Sequence, residues 1–200
     1  MIIKLIDGDE VNTSESYNKH VFVSGNNIII PYISLQLMER VRLLDIDEFD
    51  KINYSYLILN QVFDFAWTFG SINGARRNRV RLTESQPDNP IINYFTGADF
   101  ESSHSGCEFK ACFNGIYLFV PNEFRKKNSL EGWVPQPTPA FFQNMLKEEV
   151  KIFFRKESIP KEILVFLRID NLKDIRILEL LGHPDKEVEQ DIADSWVSCS

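Results

Sequence analysis

"FAWTFGSINGARRNRVRL", Phe65 to Leu82, is the stretch on which the fold turns. Its Asn73-Gly74 pair tolerates the positive φ angles of a two-residue hairpin turn. Folding the flanks about that pair sets Ile72 against Ala75, Trp67 against Val80 and Phe65 against Leu82, so apolar side chains meet on one face. The other face then sets Thr68 opposite Arg79 and Ala66 opposite Arg81. A slip of one residue would carry every side chain to the wrong face, and the match therefore supports a hairpin. Asp64, opposite Thr83, lies diagonal to Arg81 and within reach of its long side chain.

Two further turns pass the same test. A loop at Asn114-Gly115 pairs Phe113 with Ile116, Ala111 with Leu118 and Phe109 with Val120. A loop at Asn26-Asn27 pairs Val23 with Ile30 and Val21 with Tyr32. Strands thus dominate the first 120 residues, and hairpins make the sheet largely antiparallel. "ISLQLMERVRLL", Ile33 to Leu44, fits either a strand or a helix.

After Pro121 the pattern changes. "EGWVPQPTP", Glu131 to Pro139, reads as an extended loop, with Thr138 as a helix N-cap and Pro139 at the first helical position. Phe141, Phe142, Met145, Leu146, Val150, Phe153 and Phe154 recur at helical spacing to about Lys156. "ILVFLRI", Ile163 to Ile169, is a short apolar run that fits a central strand. Asn171 to Leu181 and Asp185 to Val197 read as helices broken at Gly182-His183-Pro184. The expected fold is α+β: a largely antiparallel, curved sheet built from hairpins in the first 120 residues, with helices mainly in the C-terminal third. The 200 residues carry no visible linker, which predicts a single domain.

Apolar residues make up 44% of the chain and charged ones 26%, as in an ordinary soluble globular protein. No apolar run is long enough to span a bilayer, and "MIIKLIDGDE" meets acids where a signal peptide would stay apolar. Three cysteines without framework spacing agree with a reducing compartment. The expectation is a cytoplasmic protein with no membrane partner. The formal charge of −7 is unevenly spread, at −5 for residues 1–70, +2 for 71–127 and −4 for 128–200. An acidic whole argues against direct nucleic-acid binding, whose affinity comes from neutralising phosphates. It argues for a basic partner.

No catalytic constellation stands out. His104 sits in the loop "FESSHSGCEF" among serines, but adjacency in sequence seldom supplies the geometry of proton transfer. Cys107 and Cys112, five apart on one strand, point to opposite faces and can neither bridge nor chelate together. "FGSING" lacks the Lys-Ser/Thr continuation of a phosphate loop. Neither a metal nor a cofactor is expected.

Two charged clusters remain. Arg77, Arg79 and Arg81 share a strand face with Arg76 beside them. The default reading is a solvated hairpin face answered by acids such as Asp64, with charge that keeps foreign strands from pairing. The functional reading is an anion clamp, which with His104 as acid or base would make a small enzyme for a phosphorylated or carboxylated substrate, or a ligand-binding domain. In "LLDIDEFDKINY", Asp45, Asp47, Glu48 and Asp50 place four carboxylates in six residues. This is either a solvated acidic loop or a recognition patch for a basic protein, with Phe49 as its apolar anchor. It lacks the spacing and glycine of a calcium loop.

"DEFDKINYSYLILNQVFDFAW", Asp47 to Trp67, resembles the acidic, aromatic sheet strands of bacterial toxin-immunity proteins, particularly those of contact-dependent growth inhibition systems. The resemblance implies an immunity protein that binds a cognate toxin domain, often a basic nuclease, and covers its active site or substrate groove. It carries over no individual residue. Charge density makes Asp45, Asp47, Glu48, Phe49 and Asp50 the expected partner-binding residues; the oligomeric state is left open.

Overall fold

The computed structural model describes residues 2–14, 16–38, 51–71, 74–86, 88–98, 106–121 and 147–180. Strands follow one another as β1 (Ile2–Leu5), β2 (Val11–Asn12), β3 (His20–Ser24), β4 (Asn27–Leu37), β5 (Lys51–Asn60), β6 (Asp64–Ser71), β7 (Gly74–Arg81), β8 (Ile91–Ala98), β9 (Gly106–Phe113), β10 (Gly115–Phe119) and β11 (Arg176–Glu179). Among the described residues two short α-helices, α1 (Lys147–Phe153) and α2 (Lys161–Phe166), lie towards the C-terminus. Every strand pair is antiparallel. The protein is therefore α+β, with sheet filling the N-terminal region and helices following it.

The strands form two sheets. One runs β1-β10-β5-β4-β3-β11, with β2 also paired to β4, and the other runs β7-β6-β9-β8. Strand alternation explains how they pack. On β5, Leu57 and Leu59 enter a core shared with Phe65, Trp67, Phe95, Phe109 and Phe113 of the second sheet. Their neighbours Tyr54, Tyr56 and Ile58 face the other way, onto Val150 and Phe153 of α1 and Ile163 of α2. The seven-stranded sheet is thus the middle layer, buried on both faces, which is why "NYSYLILN" is apolar at odd and even positions alike. Between the sheets Phe95 stacks on Phe109 at 5.4 Å, and Phe65 tilts against Phe109 at 5.3 Å. The Tyr32 hydroxyl donates across this core to the Thr96 carbonyl at 2.9 Å.

The hairpin at Phe65 to Leu82 forms, with its register moved by two residues: Phe65 faces Val80, Ala66 faces Arg79 and Ser71 faces Gly74. An even slip keeps every side chain on its expected face, so alternation alone does not distinguish the two registers. Ile72 and Asn73 lie outside the described residues. The β3–β4 hairpin shows the same two-residue offset, pairing Val23 with Ile28 and Ser24 with Asn27. Here the reason is local, because Gly25 takes the first turn position at a φ of +56°, which glycine adopts without strain.

The expected hairpin at Asn114-Gly115 does not form. β9 pairs with β6 and β8, whereas β10 pairs with β1 and β5, so the chain crosses from one sheet to the other there. Phe109, Ala111 and Phe113 still meet Ile116 and Leu118 in one core, but across the sandwich rather than side by side.

The C-terminal expectations are also corrected. Ile163 to Ile169 is not a central strand: α2 starts after Pro160, and of its apolar run Ile163 and Leu167 are buried while Val165 and Phe166 are exposed. That is the four-residue spacing of a helix face. Asn171 to Leu181 is not a helix over its described part. Asn171 closes a 3-10 turn by accepting from the Lys173 amide at 2.9 Å, and Arg176–Glu179 then pairs with the edge of β3. Of the helix expected from Thr138 to Lys156, Lys147–Phe153 is seen; Thr138, Pro139 and the run from Phe141 to Leu146 lie outside the described residues, as does Asp185 to Val197. Residues 39–44 of "ISLQLMERVRLL" lie outside them too, while its start belongs to β4. Among the described residues no helix is long and apolar enough to cross a membrane.

Candidate functional site

The arginine strand β7 ends the four-stranded sheet, with β6 as its paired neighbour. In cross-strand register, Arg81 aligns with Asp64, Cys112 and Ile92, and Arg79 with Ala66, Lys110 and Tyr94. Arg77 aligns with Thr68, Glu108 and Thr96. These rows form the outer face of the sandwich, away from the inter-sheet core.

Two of the three arginines are engaged within the protein. Arg79 Nε donates to Asp64 Oδ1 at 2.7 Å, and both side chains are about three-quarters shielded from water, at 24% and 20% exposure. The Arg81 guanidinium lies 4.9 Å from the centre of the Phe63 ring. The sequence set Asp64 diagonal to Arg81; the two-residue change of register puts Arg81 directly opposite Asp64 and Arg79 on the diagonal, and it is Arg79 that makes the ion pair. For Arg77 the strand position is described and the side chain is not. An anion clamp built on this face has to compete with Asp64 for Arg79, and His104, its expected acid or base, lies outside the described residues.

The acidic segment Asp45, Asp47, Glu48, Phe49 and Asp50 also lies outside them. The chain enters it from β4 and leaves it into β5, where Gln36 pairs with Lys51. β2 braces this end, pairing Val11 with Leu37, while Asn12 Nδ2 donates to Gln36 Oε1 at 3.0 Å. The Met38 amide then donates to the Glu10 carbonyl at 2.9 Å.

The outer face also holds features that the sequence reading missed. Tyr94 is 73% exposed and Ile92 51% exposed, side by side on β8. Lys110 Nζ sits 5.2 Å from the centre of the Tyr94 ring, and Lys110 and Glu108 are both exposed on β9. The signal was present: "IINYF" is apolar at both parities, and β8 buries one face only.

Cys107 and Cys112 lie on opposite faces of β9, as their spacing requires, and both are buried. Burial pushes the Cys107 thiol up to about 12, the Asn18 amide oxygen accepting from it at 3.7 Å. Burial also raises Cys112, with Asp64 beside it. His20 is a buried structural histidine. Its Nε2 donates to the Phe154 carbonyl at 2.9 Å, which leaves Nδ1 as the acceptor nitrogen, 3.8 Å from Glu179. Among the described residues no group of three or more His, Cys, Asp or Glu side chains converges to hold a metal.

Comparison with protein-family models, with curated proteins and with solved structures found no match.

Proposed function

We propose that this protein is an immunity protein of the cytoplasm, which binds a cognate basic toxin domain and covers its active site or substrate groove. The supporting observation is the carboxylate-dense segment Asp45 to Asp50, joined to two long paired strands, of which β4 is braced at that end by β2. A charged segment on a rigid mount loses less conformational freedom on binding than one on a mobile tail. The chain's charge of −7 speeds encounter with a basic partner. Phe49, among the four acids, supplies an apolar anchor that slows dissociation. Arg79 and Arg81 act within the protein, through Asp64 and Phe63, in stabilising the second sheet.

The test is co-expression with the C-terminal domain of a large secreted effector encoded directly upstream. The expected result is a stoichiometric complex that survives purification and abolishes the toxin's activity; a toxin that stays active and elutes alone refutes the proposal.

A further inference from the structure

We infer that the outer face of the four-stranded sheet is an interface between two copies of this chain. The inference is independent of the toxin reading and adds a second surface to it.

Like-charged molecules of −7 repel, so two copies can approach only through a face that is not itself acidic. This face fits that requirement. Its charged positions are Arg77, Arg79, Arg81 and Lys110 against Asp64 and Glu108, so both signs are present and acid does not dominate. A two-fold interface brings the same patch of both partners together, and mixed signs are what such self-contact needs. Glu108 and Lys110 stand two residues apart on β9, both exposed. A two-fold axis lying in the interface and crossing β9 at Phe109 sets Lys110 of each copy over Glu108 of the other. Beside them Tyr94 and Ile92 supply the apolar contact, exposed far beyond what a sheet strand needs for its own core. The same axis sets β7 over β7, and the crossing of about 30° between facing sheets offsets their arginines along the strands.

A nucleic acid fits less well, because Asp64 and Glu108 interrupt the positive charge that a phosphate backbone would meet, and Ile92 offers no ring for stacking. The area sets the strength. Four strands of eight residues, at about 4.8 Å between strands and 3.3 Å per residue, give a footprint of roughly 500 Å² per copy. That is the low end of specific interfaces, the size of a weak, transient dimer and not of a permanent one.

Sedimentation equilibrium of the full chain between about 5 and 300 µM reads this directly. The wild type is expected to pass from monomer to dimer across that range. Lys110→Glu and Glu108→Lys each weaken the dimer at least about tenfold by setting like charges opposite each other. The two single variants mixed together form a heterodimer, and the double variant regains wild-type association. Glu84→Lys, at an exposed turn, changes the net charge as much as Glu108→Lys and leaves the dimer intact or tighter. A protein that stays monomeric at the highest concentration overturns the inference. So does a dimer that Lys110→Glu does not weaken, or charge-reversed variants that fail to recognise each other on mixing.

Discussion

Acid should loosen this fold through a single imidazole. Burial, the largest cause, holds His20 down from its ordinary value of 6.5 to about 4; the Phe154 carbonyl pulls the other way, and the charge of Lys19 adds to the lowering. The ring is wedged edge-on against Phe22 at 4.9 Å and Phe154 at 5.9 Å, with little room for water. The sign follows from which state takes up the proton. Above about pH 6.5 the imidazole is neutral in both states and the stability is complete. Between 6.5 and 4 the unfolded chain is protonated and the folded one is not, so stability falls with pH; below 4 both are charged and the loss levels off. Each pH unit in that window is worth about 1.4 kcal/mol, giving a ceiling of ~3 kcal/mol. Glu179, 3.8 Å from Nδ1 and partly exposed, compensates an imidazolium and brings the expected loss nearer ~2 kcal/mol. Urea unfolding at pH 7.5, 6.5, 5.5 and 4.5 measures the slope against His20→Gln. That variant keeps a donor for the Phe154 carbonyl, cannot titrate, and is less stable at neutral pH for want of the ring. The wild type should lose about 2 kcal/mol more than the variant between pH 7.5 and 4.5. Parallel slopes for the two proteins would refute the reasoning.

Three other perturbations probe the packing. A Cβ on Gly97 would come within 2.0 Å of the Asn18 amide oxygen, and Asn18 is fully buried, so Gly97→Ala should cost about 1–3 kcal/mol in chemical denaturation. Asn18→Gly in the same chain should make that substitution much less costly. Phe109→Ala removes the central ring of the aromatic row by which the four-stranded sheet faces the core and should cost about 3–5 kcal/mol, against less than about 0.5 for Ile92→Ala on the outer face, as read by thermal and urea unfolding. Cys107 and Cys112, buried and with thiols raised above their ordinary value, should resist a thiol reagent in the native protein at pH 8 and react promptly once it is unfolded.

Alternation carried much of the fold in the sequence, and its limits explain the rest. Phe65, Trp67 and Val80 share a face because their parity says so, and the arginines take the other face for the same reason. Parity is blind to a slip of two residues, so Arg81, expected on the diagonal from Asp64, stands directly opposite it and Arg79 takes the diagonal ion pair. Parity is also blind to whether apolar rows meet side by side or across a core. Phe109, Ala111 and Phe113 pass the hairpin test with Ile116 and Leu118 while belonging to the opposite sheet, and no local signal marks the crossing. For α2 the spacing of Ile163 and Leu167 was available, but the unbroken apolar run concealed it. β11 is a tertiary decision, since the open edge of β3 recruits Arg176–Glu179 out of a segment whose own pattern suits a helix. Of the site, the charge clusters were legible from composition. The exposure of Ile92 and Tyr94 depends on which face of β8 meets the core, and only the assembled sandwich decides that.

The central claim is that the acidic segment between β4 and β5 grips a basic toxin domain. Its most direct test is the affinity for that domain of the wild type and of a variant carrying Asp47→Lys and Glu48→Lys, titrated at about 50 mM and 500 mM salt, where screening differs several-fold. The variant should bind at least about tenfold more weakly at low salt, with the gap narrowing at high salt. Equal affinity of the two proteins at low salt would contradict the claim.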